Sequence, residues 1–245
     1  EVMRTARENL RKIAPKSLVL ISSIAVFADS RGRCEDDAPD TDGLPAYGRN
    51  RLQLEQWVRE DFNDALIVRL PALYGAGLKK NFLFDLHTIT PAMLKPEKYN
   101  ELAEKIPLVK TGYTLADNGF YKLNGTADKT ALKEFFAGND FNALAFTDSR
   151  SRYQFYNLGR LWSDMEAARA ADVKLLHLCT PPVSAAEVYT AVTGKADWTN
   201  ELPKSPFDYD LRSRYAAVLG GSGDYLCTKE EELDDVTHFL REWRD

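Results

Sequence analysis

The chain has 245 residues, 44% of them hydrophobic, 28% charged and 11% aromatic, which gives it the length and composition of a globular protein with a sizeable core. Its 37 acidic residues outnumber 32 basic ones for a formal net charge of −5, and no Lys/Arg cluster forms a phosphate-backbone footprint, so no nucleic-acid partner is expected. The longest apolar run, Leu18 to Phe27, is interrupted by Ser22 and Ser23 and is far shorter than the roughly 20 residues a bilayer requires, so no membrane partner is expected either. Cys34, Cys179 and Cys227 are widely spaced and form no Cys-x-x-Cys pair, and the charged opening residues are unlike an export signal; both features fit reduced thiols and a cytoplasmic protein.

Val2, Ala6, Leu10 and Ile13 repeat at helical spacing until Pro15, which predicts an amphipathic helix over 2–14. Leu18-Val-Leu-Ile-Ser-Ser reads as a buried parallel strand with hydroxyls at its carboxyl end. Asp29 to Pro45 is rich in Asp, Gly and Pro and reads as a loop, with the acidic run Glu35 to Asp37 solvated. A helix then opens near Tyr47, with Leu52, Leu54, Trp57 and Val58 on its apolar face, and Ala65 to Leu70 is a second buried strand. Residues 71–81 read as a Gly-containing loop. The stretch to about Ser149 predicts helices at 98–105 and 127–137 between polar turns, with no clean parallel strand.

A helix over 161–171 and a third strand over Val173 to Cys179, stopped by Pro181 and Pro182, follow. Ser184 and Glu187 spell a capping box for a helix that ends near Gly194, and Lys229 to Trp243 forms the last amphipathic helix. Gly220 to Gly223 has no buried strand before it and reads as a surface turn. Alternating strands and helices predict an α/β protein with a doubly wound parallel sheet, whose ligand sites lie beyond the carboxyl ends of the strands. Those ends are Ser22-Ser23 and Pro71 to Leu73, with the helix from Tyr47 between them.

Tyr47 and Arg51 are one helical turn apart, so phenol and guanidinium share a face. A tyrosine becomes a useful base when a neighbouring cation favours its phenolate, and a hydroxyl such as that of Ser23 can hold the substrate oxygen. The spacing alone is shared by Tyr156/Arg160 and Tyr225/Lys229, which read as surface pairs or core tyrosines. The order of elements adds weight: a hydroxyl-ended strand, an acidic loop, a Tyr-Gly-x-x-basic helix, then a strand with Arg-Leu-Pro and a Tyr-Gly loop. His87, His177 and His238 are scattered, which gives no metal site, and Cys179 reads as a small core residue.

Ile21-Ser-Ser-Ile-Ala-Val-Phe27, Tyr47-Gly-Arg-Asn-Arg51 and Val68-Arg-Leu-Pro-Ala-Leu-Tyr-Gly75 together resemble the extended short-chain dehydrogenase/reductase family, the NAD-dependent sugar-nucleotide epimerases and dehydratases. The similarity is strongest over residues 17–82 and 150–194. It implies that Tyr47 is the general base, Ser23 its hydroxyl partner, and Arg51 the occupant of the place where the family has lysine. It further implies cofactor contacts from Ser22, Tyr47, Arg51, Pro71 and Leu73, with NAD or NADP as cofactor. Asn81 resembles the family's asparagine at the sugar-nucleotide diphosphate, and Arg150 or Arg152 precedes a segment similar to its later substrate-binding strand, so Asn81 and Arg152 are the expected substrate contacts.

The resemblance implies the C-terminal part of a Rossmann-type sheet with a smaller, mostly helical substrate lobe. The expected division is 1–81 for the second half of the nucleotide-binding domain, 82–149 for a substrate or lid lobe, and 150–245 for the closing strand and helices. The family's Gly-x-x-Gly-x-x-Gly turn is missing from the sequence, so the chain is expected to start at the helix after the fourth strand, about a hundred residues into a two-half nucleotide fold. The three remaining strands would leave an apolar sheet edge open. The resemblance and its departures imply two alternative functions. One is an NAD(P)-dependent epimerase, dehydratase or reductase acting on a nucleotide sugar or similar carbinol. The other is a catalytically lapsed nucleotide-binding or protein-binding module of the same fold. The helices at 2–14 and 46–62 match the pair through which this family dimerises, which implies a homodimer.

Overall fold

The computed structural model describes residues 2–243. In chain order the elements are α1 (Val2–Ile13), β1 (Val19–Ser23), α2 (Ala46–Asp61), β2 (Leu66–Leu70), β3 (Ala72–Tyr74), α3 (Asn81–Thr88), β4 (Met93–Leu94), α4 (Pro96–Lys105), α5 (Pro107–Gly112), β5 (Tyr113–Leu115), β6 (Tyr121–Leu123), α6 (Lys129–Ala137), β7 (Arg152–Tyr153), β8 (Phe155–Asn157), α7 (Leu161–Ala170), β9 (Leu175–His177), β10 (Val183–Ser184), α8 (Ala185–Thr193) and α9 (Lys229–Glu242). They divide into two compact units. The first holds residues 2–78, 150–196 and 205–243; the second holds residues 79–149 and 197–204.

The first unit is built on a parallel sheet of order β1-β2-β9, in the α/β arrangement expected. β2 is buried along its whole length, and its alternating side chains feed two cores. Leu66, Val68 and Leu70 enter a cluster with Ile24, Leu52, Leu176 and Leu178, while Ile67 packs with Val58 and Ala65 on the other face. Among the described residues β1 and β9 are the sheet's edges, and on β1 Ile21 is 38% exposed. The capping box holds as read, with Ser184 and Glu187 exchanging hydrogen bonds at 2.7 and 3.1 Å and Gly194 closing α8 in the left-handed region. An equivalent box joins Thr228 and Glu231 at the start of α9.

Two features of this unit depart from the sequence reading. The loop expected from Pro71 onward begins as β3, paired in parallel with β8, and β7 pairs antiparallel with β10. These two- and three-residue strands are too short to show a period in sequence. The acidic run is also not a freely solvated loop. The Glu35 carboxylate accepts hydrogen bonds from the backbone N–H groups of His177 (2.8 Å) and Arg214 (2.9 Å) and from Ser213 Oγ (2.7 Å), so it ties the loop to β9 and to a distant turn.

The second unit has a separate core of Leu94, Leu102, Ala103, Val109, Tyr113, Leu132 and Phe136. α4 and α5 each start with proline, where the missing N–H costs nothing, and Asp128 caps α6 by accepting from Ala131 N–H. Helices dominate as expected, but α3 and α5 were not foreseen, and the unit also carries an antiparallel sheet of order β4-β6-β5. β5 and β6 are joined through Asn118-Gly119, with Gly119 at φ 80°. That dipeptide is the hairpin signal which a search for parallel strands passes over.

Candidate active site

Parallel register aligns Ser22 with Arg69 and Ser23 with Leu70, so the carboxyl ends of β1 and β2 lie side by side. The first turn of α2 is held against the turn that follows β1. A side chain on Gly48 would place its Cβ 2.1 Å from the Ala25 carbonyl oxygen, so only glycine permits this approach. The glycine after Tyr47 is therefore what brings the tyrosine's helix onto the end of β1.

Tyr47 is 54% exposed. Arg51 Nε donates to its hydroxyl at 3.3 Å, the guanidinium carbon lies 5.4 Å from the ring centroid, and Nη1 reaches the Ile21 carbonyl at 3.4 Å. One arginine thus links the phenol on α2 to the backbone of β1. Ser23, half-buried at the end of β1, accepts the Ala25 N–H at 3.2 Å and caps a 3-10 turn over Ile24–Val26. Pro71 and Leu73 lie where the chain leaves β2; both are half-buried, and Leu73 packs on the main core.

The other expected contacts have different surroundings. Ser22 is buried and its hydroxyl donates to Glu55 Oε1 at 2.6 Å, so this side chain serves the interior. Arg152 on β7 pairs with Asp208 at 3.4 Å, both partly exposed. Asn81 belongs to the second unit, where it adopts φ 69° and accepts the Leu83 N–H at 3.0 Å as α3 begins. The structure therefore brings Tyr47 and Arg51 into contact at the end of the strand that carries Ser23. The spacing matches Tyr156 and Tyr225 are structural: their hydroxyls donate to Asp164 at 2.7 Å and to Asp210 at 2.5 Å.

Beneath the site lies a buried polar network that the sequence reading missed. Glu55, two turns beyond Tyr47 on α2, is fully buried and receives Arg69 Nε at 3.0 Å and Nη2 at 2.7 Å, in addition to Ser22. Arg59 adds a further donor at 3.2 Å. Arg69 continues to His177 Nε2 at 3.1 Å and stacks on Phe27, 5.0 Å from its centroid. Burial, reinforced by the Arg69 charge, pushes His177 down to about 3, so the ring is neutral; it accepts from Arg69 and donates Nδ1–H to the Arg212 carbonyl at 3.0 Å. The signal was present in the sequence as a lone arginine inside the apolar strand Leu66–Leu70, and as Glu55 continuing the four-residue spacing of Tyr47 and Arg51. Among the described residues, no cluster of three His, Cys, Asp or Glu side chains is placed to hold a metal ion. No described helix is long and apolar enough to cross a membrane.

Residues 4–93 match the RmlD substrate binding domain family. No curated protein matches the sequence. Among solved structures the chain is similar to UDP-glucuronic acid 4-epimerase from Bacillus cereus in complex with UDP-glucuronic acid and NAD, with a TM-score of 0.55 and 15% identity over 98% of this chain and 66% of that one. It is also similar to a short-chain dehydrogenase/reductase superfamily protein from Agrobacterium tumefaciens with bound NAD (TM-score 0.54, 15% identity, 98% of this chain and 71% of that one). A third is dTDP-4-dehydrorhamnose reductase from Yersinia enterocolitica (0.54, 15%, 97% and 71%). The chain spans about two thirds of the length of these structures. Its fold is that of the Rossmann-type extended short-chain dehydrogenase/reductases, and the resemblance drawn from Tyr47-Gly-Arg-Asn-Arg51 and its flanking strands holds.

Proposed function

We propose that the chain carries the proton-transfer half of an NAD(P)-dependent epimerase, dehydratase or reductase that acts on a nucleotide sugar. The observation that carries this reading is the contact between Arg51 and the exposed Tyr47 hydroxyl at the carboxyl end of β1, where an open α/β sheet places its ligands. Tyr47 takes the proton of a sugar hydroxyl as the carbinol is oxidised and returns it on reduction. Arg51 stabilises the negative charge that forms on the phenol oxygen when Tyr47 is the base. Ser23, on the strand end beside them, orients the reacting oxygen through its O–H while its lone pair holds the Ala25 N–H.

Tyr47 and Arg51, with the backbone of Pro71 to Leu73, would hold the nicotinamide-ribose end of a dinucleotide, and the cofactor, when bound, supplies the hydride acceptor or donor. For its pyrophosphate end, the 245 residues offer no Gly-x-x-Gly-x-x-Gly turn. In this reading Asn81 and Arg152 are nucleotide-sugar contacts. α1, whose Ala6 and Ile13 remain exposed beside α2, is the surface through which two copies would pair.

Purified protein assayed with UDP-sugars and dTDP-sugars, with NAD(H) or NADP(H), tests this reading. Tyr47→Phe should abolish turnover while leaving nucleotide affinity in place, and Arg51→Lys should retain or raise turnover. Binding without turnover in both the wild-type protein and Arg51→Lys would instead establish the second reading, a module whose chemistry has lapsed. That reading draws on the arginine that stands where the family has lysine.

A further inference from the structure

The first unit contains a cavity of about 350 Å³, lined among others by Tyr74, Asn157, Arg160, Cys227, Glu232 and Asp235. Its volume is within the range of small-molecule sites. Its polar groups are unevenly matched. Glu232, 2% exposed, uses Oε1 to accept from Phe155 N–H at 2.7 Å and from Thr180 Oγ at 2.9 Å, but its buried Oε2 has no hydrogen-bond partner. Asp235 uses Oδ2 to accept from Tyr74 Oη at 2.5 Å and from Asn157 Nδ2 at 2.9 Å, which leaves Oδ1 for a ligand.

The nearby cations are engaged elsewhere. Arg160 is shared between the Leu219 carbonyl at 3.2 Å and Asp164 at 3.5 Å, and Lys229 pairs with Glu187 of α8 at 2.9 Å. An orphaned carboxylate oxygen is rare in a native interior and calls for a partner that the chain itself does not supply. Asn157 and Asp235 also line an adjoining cavity of about 370 Å³ walled by Phe239 and Trp243, so an elongated ligand has room to continue along α9 beside aromatic faces.

We propose that this cavity binds a small organic cation, a primary amine or diamine whose ammonium group meets Glu232 and Asp235. Two carboxylates with an oxygen to spare form charge-assisted bonds with such a group that a neutral hydroxyl of the same size does not gain, and Arg160, held by Leu219 and Asp164, leaves those oxygens unpaired. Burial holds Glu232 at about 8, against the attraction of Lys229 and with the support of Glu187. Glu232 therefore holds a proton when the cavity is empty. Entry of the ammonium therefore releases one proton to solvent. The Asp235 and Glu231 carboxylates and the Arg160 guanidinium also line the cavity, while the Cys227 thiol, pushed up to about 12 by burial, and the Tyr74 and Tyr156 hydroxyls, raised still further by burial, stay protonated.

Isothermal titration of the protein with putrescine, in buffers of different ionisation enthalpy, tests the proposal. Saturable binding with proton release is expected, about tenfold or more tighter near pH 8.5 than near pH 6.5. Isosteric 1,4-butanediol should not bind. Glu232→Gln and Asp235→Asn should each weaken putrescine at least about tenfold. The second substitution keeps an acceptor for Tyr74 and Asn157, so it serves if the first disturbs folding. Binding of the diol as tightly as the diamine, unchanged affinity in Asp235→Asn, no binding at all, or binding only of a lysine-rich peptide would each overturn it.

Discussion

Two buried glutamates in the same unit live under opposite rules. Glu55 is surrounded by donors and cations: Arg69 grips it with two nitrogens, Ser22 adds an O–H and Arg59 a fourth contact. Glu232 is buried to nearly the same degree and has two neutral donors on one oxygen and none on the other. The first is the anchor of a network that runs from β1 through β2 to β9. The second is pushed up to about 8 and keeps its proton at neutral pH. Equal burial thus leaves two carboxylates in very different company, one among cations and one among neutral donors.

The largest expected effect comes from taking the cation away. Arg69→Met leaves Glu55 without its bidentate partner and His177 without its donor, and should cost about 3–5 kcal/mol of stability in urea denaturation at neutral pH. Removing both charges as Glu55→Met with Arg69→Met should recover most of that loss. A double variant as unstable as the single one would mean that the network acts through shape and not through charge.

The two regions should also pull stability in opposite directions with pH. His177 is held below its unfolded value, so the unfolded chain binds the extra proton between about pH 3 and 6.5, and this contribution is lost as pH falls. Glu232 is held above its unfolded value, so the folded chain binds the extra proton between about pH 4.5 and 8. Its contribution is complete in acid and lost as pH rises through about 8. Between about pH 6.5 and 8 it acts without the opposition of His177, and the slope approaches 1.4 kcal/mol per pH unit at most. Chemical denaturation across that window should show stability falling with pH, and Glu232→Gln should flatten the curve.

Single hydrogen bonds rank the same way. Ser22→Ala removes a bond to a carboxylate paired with two arginines and should cost about 1.5–3 kcal/mol, whereas Thr180→Val removes one to a neutral acid and should cost about 0.5–1.5 kcal/mol. Equal losses would mean that Glu232 is ionised.

The contrast also explains what could be read in the sequence. The framework was legible because continuous apolar runs such as Leu66–Leu70 and capping pairs such as Ser184/Glu187 declare themselves locally. Tyr47 with Arg51 was legible for the same reason, since both lie on one turn of one helix. Ser22 was placed at the cofactor by resemblance, and a hydroxyl at a strand's carboxyl end looks the same in sequence whichever way it turns. Its partner lies 33 residues away on α2, and only the packed fold shows that it faces inward. Glu35 looked solvated because its three donors come from residues more than 140 positions later. Glu232 sits in the first turn of α9 among Glu230 and Glu231, where acidic residues ordinarily face water and favour the helix dipole. It is buried against Phe155 and Thr180, 77 and 52 positions earlier in the chain.

The smallest stability effect is expected at the residue proposed to matter most for chemistry. Tyr47 is more than half exposed, and its one hydrogen bond, to Arg51 at 3.3 Å, is solvent-facing, so Tyr47→Phe should shift stability by no more than about 0.5 kcal/mol. Arg51 keeps its contact with the Ile21 carbonyl in that variant, so α2 and β1 should stay joined. A loss of turnover at unchanged stability would separate the phenol's chemistry from the scaffold below it. A loss of stability comparable with Ser22→Ala would instead make Tyr47 part of that scaffold, extending the Glu55 network to the surface.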